Sequence, residues 1–166
     1  MNIFYLHADP VTAAQMQCDK HVVKMILESA QLLSTAHRVL DGDEYADSVG
    51  LYKTAHRNHP SAVWARASVH NYAWLYDHMI GLMREYTSRY AKQHASERLA
   101  SPLSKPPANT PAADFSEPPQ CMPDHCKTSD TISAYRRYYV MEKSSFAKWK
   151  NSQVPDWFSD GLHSLL

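Results

Sequence analysis

The chain has 166 residues, 44% hydrophobic and 20% charged, with 17 Lys and Arg against 17 Asp and Glu. That length suits a single domain, 1–166, whose core needs neither disulfides nor a metal, and zero formal charge argues against a dedicated non-specific binder of nucleic acid. No long apolar run or secretory leader is evident, which predicts no membrane span and a cytoplasmic protein. Cys18, Cys121 and Cys126 cannot all pair, in keeping with a reducing compartment.

The neutral total conceals a gradient. Residues 1–50 hold 3 basic and 7 acidic side chains, residues 51–100 hold 7 and 3, and the remainder holds 7 of each. Ten histidines add charge that a nearby phosphate can switch on. A phosphate-binding surface is therefore permitted.

The segment from Met1 to Leu6 is short and apolar and runs into the turn signal Asp9-Pro10, so it reads as a strand or extended tail. From about Thr12 to Val39 there is no Gly or Pro, and Val22, Ile26, Ala30 and Leu33 recur at helical spacing. This predicts one long helix, started near Asp9-Pro10 and stopped at Asp41-Gly42-Asp43, with an acidic loop beyond it. After Asn58-His59-Pro60 a second long helix is expected to about Arg98, with a possible break at Gly81. Seven prolines in residues 101–124 exclude helix and leave an extended strap or a mobile loop. Ile132, Tyr135, Tyr139, Phe146 and Trp149 place a third helix over Ser129–Lys150, ending at Val154-Pro155. The fold class is all-α: a compact bundle of three main helices with a Pro-rich loop and a short extended N-terminal segment.

On the first helix His21, Lys24, Glu28, Gln31 and Thr35 fall within roughly an 80° sector. Such a stripe is either a solvated face with a weak Lys24–Glu28 pair, or a cleft wall where a half-buried Glu28 serves acid/base or cation-stabilising chemistry. On the second helix His59, Arg66, His70, Asp77 and Arg84 share a face within about 40°, a set suited to phosphate or to a solvated Arg/Asp network. Tyr135-Arg136-Arg137-Tyr138-Tyr139 and Phe146-Ala147-Lys148-Trp149-Lys150 interleave aromatics with cations, as surfaces that clamp a sugar-phosphate backbone do. Cys121-x4-Cys126 with His125, and Cys18 with His21, invite a zinc reading, but the spacing fits no standard ribbon or finger, and no metal is expected. Glycine-rich phosphate loops, G-x-S-x-G and H-E-x-x-H are absent from the sequence.

Asp19-x-His21, followed by six residues and Glu28, resembles the signature of the pyrimidine-dimer DNA glycosylase (endonuclease V) family. Lys24-x3-Glu28-x2-Gln31, His59-Pro60-Ser61-Ala62-Val63-Trp64 and the stretch from Tyr135 to Trp149 are similar to segments of its bacterial members. The resemblance implies an all-helical enzyme without metal or other cofactor, in which the N-terminal amine attacks C1′ of the damaged nucleotide. An imine forms, and β-elimination cuts the strand. An α-amine, with a pKa near 8, is largely available as a nucleophile. Asn2 is too large for ready removal of the preceding methionine, so the implied nucleophile is the amine of Met1, with Glu28 as the carboxylate. Where the phage enzyme carries Arg beside that Glu and three residues after it, this chain has Leu27 and Gln31. The target base therefore stays open.

The expected function is that of a DNA glycosylase with AP-lyase activity on a damaged or modified pyrimidine in double-stranded DNA, with no obligatory protein partner. Met1 and Glu28 are the expected catalytic groups. Asn2, His21, Lys24, Gln31, His59, Arg66, His70, Arg84, Arg136 and Arg137 are the expected DNA contacts. The alternatives are a non-catalytic helical binding module and, behind it, a zinc-dependent nuclease or base-modifying enzyme.

Overall fold

Helices account for all the regular structure in a computed structural model that describes residues 1–165. Their order is α1 (Pro10–Met16), α2 (Asp19–Asp41), α3 (Asp43–Ser48), α4 (Pro60–Ala65), α5 (Val69–Tyr90), α6 (Thr131–Tyr138) and α7 (Asp156–Leu165). Among the described residues there is no strand, and no helix is long and apolar enough to cross a membrane.

The expected first helix is two helices. The Asp9 carboxylate accepts from Thr12 N–H at 2.8 Å and Pro10 fills the first helical position, so α1 starts as the sequence indicates. It stops at Gln17, where the backbone turns extended. The cause lies far along the chain. Arg89, 1% exposed, donates to the carbonyls of Gln15 and Gln17 and is paired with Asp19 and Glu85. It thereby satisfies carbonyls that the end of α1 leaves open and joins them to the first residue of α2. Gly42, at φ +82°, ends α2. The acidic segment after it is the short helix α3 rather than a loop.

The second expected helix is also divided, at Arg66–Ser68 and not at Gly81. Ser68 caps α5 by accepting from Asn71 N–H, and Asn71 donates back to the Trp64 carbonyl at the end of α4. Gly81 lies inside an unbroken α5, at its crossing with α1. A Cβ there would sit 3.0 Å from the Ala14 Cβ and 3.3 Å from the Val11 Cα. The third expected helix ends early: α6 widens into a π-helical turn, Tyr139–Lys143, and α7 follows Pro155, where none was expected.

Helix α2 runs through the middle of the molecule. Val22, Ile26, Ala30 and Leu33 are buried as their spacing predicts, but so are Met25 and Leu32, and so are His21, Glu28 and Thr35 on the polar stripe. The stripe is therefore not a solvated face. Ile3–Leu6 are buried in an irregular segment that turns at Phe4, φ +59°, where Leu6 N–H donates to the Phe4 carbonyl. Residues 101–124 form a strap rather than a free loop. The Pro111 carbonyl accepts from Val69 N–H, Ser116 O from the Trp64 indole, and Pro119 O from the Tyr135 hydroxyl.

Candidate active site

The N-terminal segment, α2, the start of α4, the strap and the end of α6 line a cavity of about 380 Å³ that is open to solvent. Its wall includes Met1, Asn2, Phe4, His21, Lys24, Glu28, His59, Cys121, Tyr138 and Lys143. The Met1 amine stands 3.6 Å from Glu28 Oε1, and Lys24 Nζ stands 3.7 Å from Oε2. Both are charge contacts too long for hydrogen bonds. Glu28 is only 8% exposed, and its buried Oε2 has no hydrogen-bond partner. A carboxylate held in this way is costly to fold around and retains an acceptor for an incoming group.

Asn2 has a different part from the one expected of it. Its Oδ1 accepts from the N–H groups of Ile3 and Phe4 at 2.7 and 3.2 Å, and its Nδ2 donates to the Cys121 carbonyl at 2.7 Å. These bonds curl the first residues and tie them to the strap, which brings the Met1 amine to Glu28. The side chain makes these bonds while still forming part of the cavity wall.

His21 sits among aromatic rings. Phe4 stacks on it at 4.1 Å, Tyr139 and Phe146 meet it edge-on, and its Nδ1 shares a 2.6 Å hydrogen bond with the Tyr139 hydroxyl, which also accepts from Cys18 N–H. Burial, reinforced by Lys143, Lys24 and Lys20, pushes the His21 pKa down to about 3. His21 is thus neutral at physiological pH and not a cationic phosphate contact. His59 is likewise lowered by burial, then by the Met1 ammonium and His56, with Glu28 opposing.

The cations that reach the cavity are not the arginines expected. Lys24 and Lys143 line it, Lys143 Nζ lies 4.7 Å from the Tyr138 ring centre, and Lys20 Nζ lies 4.8 Å from that of Phe146. Arg66 donates to the Arg57 carbonyl at the break between α4 and α5. His70 is exposed on α5, and Arg84 lines a separate apolar groove with Ile80 and Met83. The helix break separates His59 and Arg66, at the two ends of α4, from His70 and Arg84, which still share a face of α5; of the four only His59 lines the cavity. Arg136 donates to the Leu6 carbonyl and lies over Trp157, while Arg137 contacts Met141 Sδ; both lie outside the cavity wall. Gln31, a turn beyond Glu28, also lies outside it.

Phe4, Tyr138, Lys143 and Lys20 are the wall and rim residues that sequence reasoning did not single out. Tyr138 lies within, and Lys143 close to, the aromatic and cationic stretches it did notice. The zinc set does not assemble: Cys121 faces Ser61 in the cavity wall, Cys18 meets Tyr139, and Cys126 lies with His125 and Glu142, their donor atoms within 4.8 Å of one another.

A family model described as pyrimidine dimer DNA glycosylase matches residues 1–98, which contain Met1, His21, Glu28 and His59. No curated protein and no solved structure gives a significant match. A match over more than half of 166 residues, which includes the helix that carries Glu28, places the protein among the DNA glycosylases, enzymes of DNA repair whose substrate is DNA: the chain belongs to the pyrimidine dimer DNA glycosylase family.

Proposed function

We propose that the protein removes a damaged or modified pyrimidine from double-stranded DNA and then cuts the strand as an AP lyase, through an imine on the α-amine of Met1. The observation that carries this reading is the 3.6 Å approach of that amine to Glu28 inside a cavity large enough for a nucleotide sugar. The Met1 ammonium first gives up a proton to solvent; its nitrogen lone pair then forms a bond to C1′ while the glycosidic bond breaks and its electron pair leaves with the base. Of the two protons left on the nitrogen one is lost to solvent, and the other goes to O4′ as the C1′–O4′ bond breaks and the sugar ring opens, giving the imine. Removal of a C2′ proton expels the 3′ phosphate. Glu28 stabilises the positive charge on the sugar and on the attacking nitrogen, and its free Oε2 is placed to carry protons. Lys20 and Lys143, over the half-buried rings of Phe146 and Tyr138, supply phosphate contacts at the cavity rim. The target base or its partner leaves the helix stack to admit the amine.

Borohydride reduction in the presence of a duplex with an abasic site tests the imine. A covalent protein–DNA adduct is expected, and it should vanish when the N-terminal amine is acetylated. An adduct that survives acetylation would assign the nucleophile to a lysine, with Lys24 and Lys143 the first to examine.

A further inference from the structure

The proposed reaction has two charges to manage. As the C1′–N1 bond breaks, positive charge gathers on the sugar, and the electron pair that leaves is shared between N1 of the pyrimidine and its C2 carbonyl oxygen. Glu28 answers the first charge. The second calls for a hydrogen-bond donor aimed at the departing base, since a fixed donor where negative charge develops lowers the barrier most effectively.

The first turn of α4 provides one. His59 is the N-cap of α4, and its Nδ1 accepts from Ser61 N–H at 3.1 Å. A ring nitrogen that accepts carries no proton, so the imidazole is neutral and its only N–H is at Nε2, on the other side of the ring. Pro60 follows at the first helical position, fixing the backbone that holds the ring. The ring lines the same cavity as Met1 and Glu28, and no described residue accepts a hydrogen bond from Nε2. Among its neighbours, the Met1 ammonium and His56 disfavour a charged ring and Glu28 favours one, with burial the largest influence and against charge.

We propose that His59 is a further catalytic residue, whose Nε2–H donates a hydrogen bond to the C2 carbonyl oxygen of the departing pyrimidine. The ring keeps its proton throughout. The base anion takes a proton from water, and the hydroxide formed is neutralised by a proton that the nitrogen sheds on the way to the imine. This role rests on the reading of Met1 and Glu28 given above. It applies only while a base is present to leave.

That restriction supplies the test. H59N retains an N-cap acceptor for Ser61 N–H but has no donor at the reach of Nε2. Single-turnover scission of the C1′–N1 bond in a duplex with a pyrimidine dimer, where the freed pyrimidine stays joined to its dimer partner, should fall about 10²–10³-fold, the usual loss for one such donor. Strand cleavage at a preformed abasic site should fall far less, by a few-fold at most, and an unchanged urea midpoint shows that the variant is folded. Equal losses on both substrates would overturn the proposal, reducing His59 to support for α4. Unchanged C1′–N1 scission would overturn it as well. Failure of the wild-type protein to form a borohydride adduct at the abasic site is a separate result, and it would remove the underlying imine reading instead.

Discussion

Oε2 of Glu28 is a buried acceptor without a donor, in a protein that pairs most of its other buried polar atoms. Such an atom is tolerated where a substrate or a transition state completes it. Substitution E28Q keeps the shape and removes the charge. Single-turnover base release should fall about 10²–10⁴-fold, the range ordinarily lost with a general acid or base, while affinity for the damaged duplex, measured by anisotropy, stays within a few-fold. Wild-type turnover in E28Q would take Glu28 out of the mechanism. Tyr139 calls for a different measurement. Y139F would strip the partner from His21 Nδ1 and from Cys18 N–H, at a cost of about 1–3 kcal/mol for a buried group left unsatisfied. Urea unfolding reads that loss directly. From the sequence, the composition of the polar stripe on α2 was legible but its burial was not. Periodicity assigns faces to a helix; it does not say that a second layer, here Phe4 and Tyr139, will cover the polar one.

At the scale of the elements, starts and stops written in local chemistry were readable and those imposed from a distance were not. Asp9-Pro10, His59-Pro60 and Gly42 act within three or four residues, and each marks a boundary where the sequence indicated one. The break between α1 and α2 depends on Arg89, 72 residues from Gln17. Pro155 is a start signal of the same kind for α7, though it reads equally as the end of the preceding segment, and the π-helical turn carries no local signal. Replacing Arg89 tests the long-range account. R89M leaves Asp19 and Glu85 without their cation and the Gln15 and Gln17 carbonyls without a donor, so a loss of about 3–5 kcal/mol is expected by calorimetry, as for a buried pair that loses one partner. Gly81 reads the crossing of α1 and α5. Alanine gains up to about 1 kcal/mol of helix propensity, but its Cβ meets Ala14 and the Val11 backbone. The overpacking cost of about 1–3 kcal/mol should win, and G81A should melt lower than the wild type.

Over the whole molecule, the zero net charge resolves into separate neighbourhoods. Asp43 and Asp47 of α3 are engaged by Arg38, and Asp19 by Arg89, whereas Lys20, Lys24 and Lys143 gather around the cavity. A DNA-binding rim is therefore compatible with neutrality. K20A and K143A should each weaken binding to damaged and undamaged duplex alike and reduce the slope of log affinity against log salt by about 1. A variant that loses affinity only for damaged DNA would place its lysine on the lesion instead of the backbone. Buried histidines also set the response to acid. His21 falls to about 3 and His78 to about 4, both through burial, so in each case the unfolded chain takes up a proton that the folded one refuses. Their neutral forms cost nothing above the ordinary histidine pKa. As pH falls below about 6.5 the unfolded state is favoured, with a slope of up to about 1.4 kcal/mol per pH unit for each ring, until each folded-state value is reached. Urea midpoints between pH 7 and pH 4 should decline accordingly, and H21F should flatten part of that decline.

The three thiols are unequal in access. Cys18 and Cys126 are fully enclosed, whereas Cys121 is partly open and forms part of the cavity wall, its carbonyl joined to Asn2 and its sulfur 3.6 Å from Ser61 Oγ. An alkylating reagent applied to the native protein therefore has one preferred target, and that target is beside the bond that holds the amine in place. Cys121 becomes a built-in attachment point for a fluorophore that senses whether the cavity is filled, or for an electrophile that blocks it irreversibly.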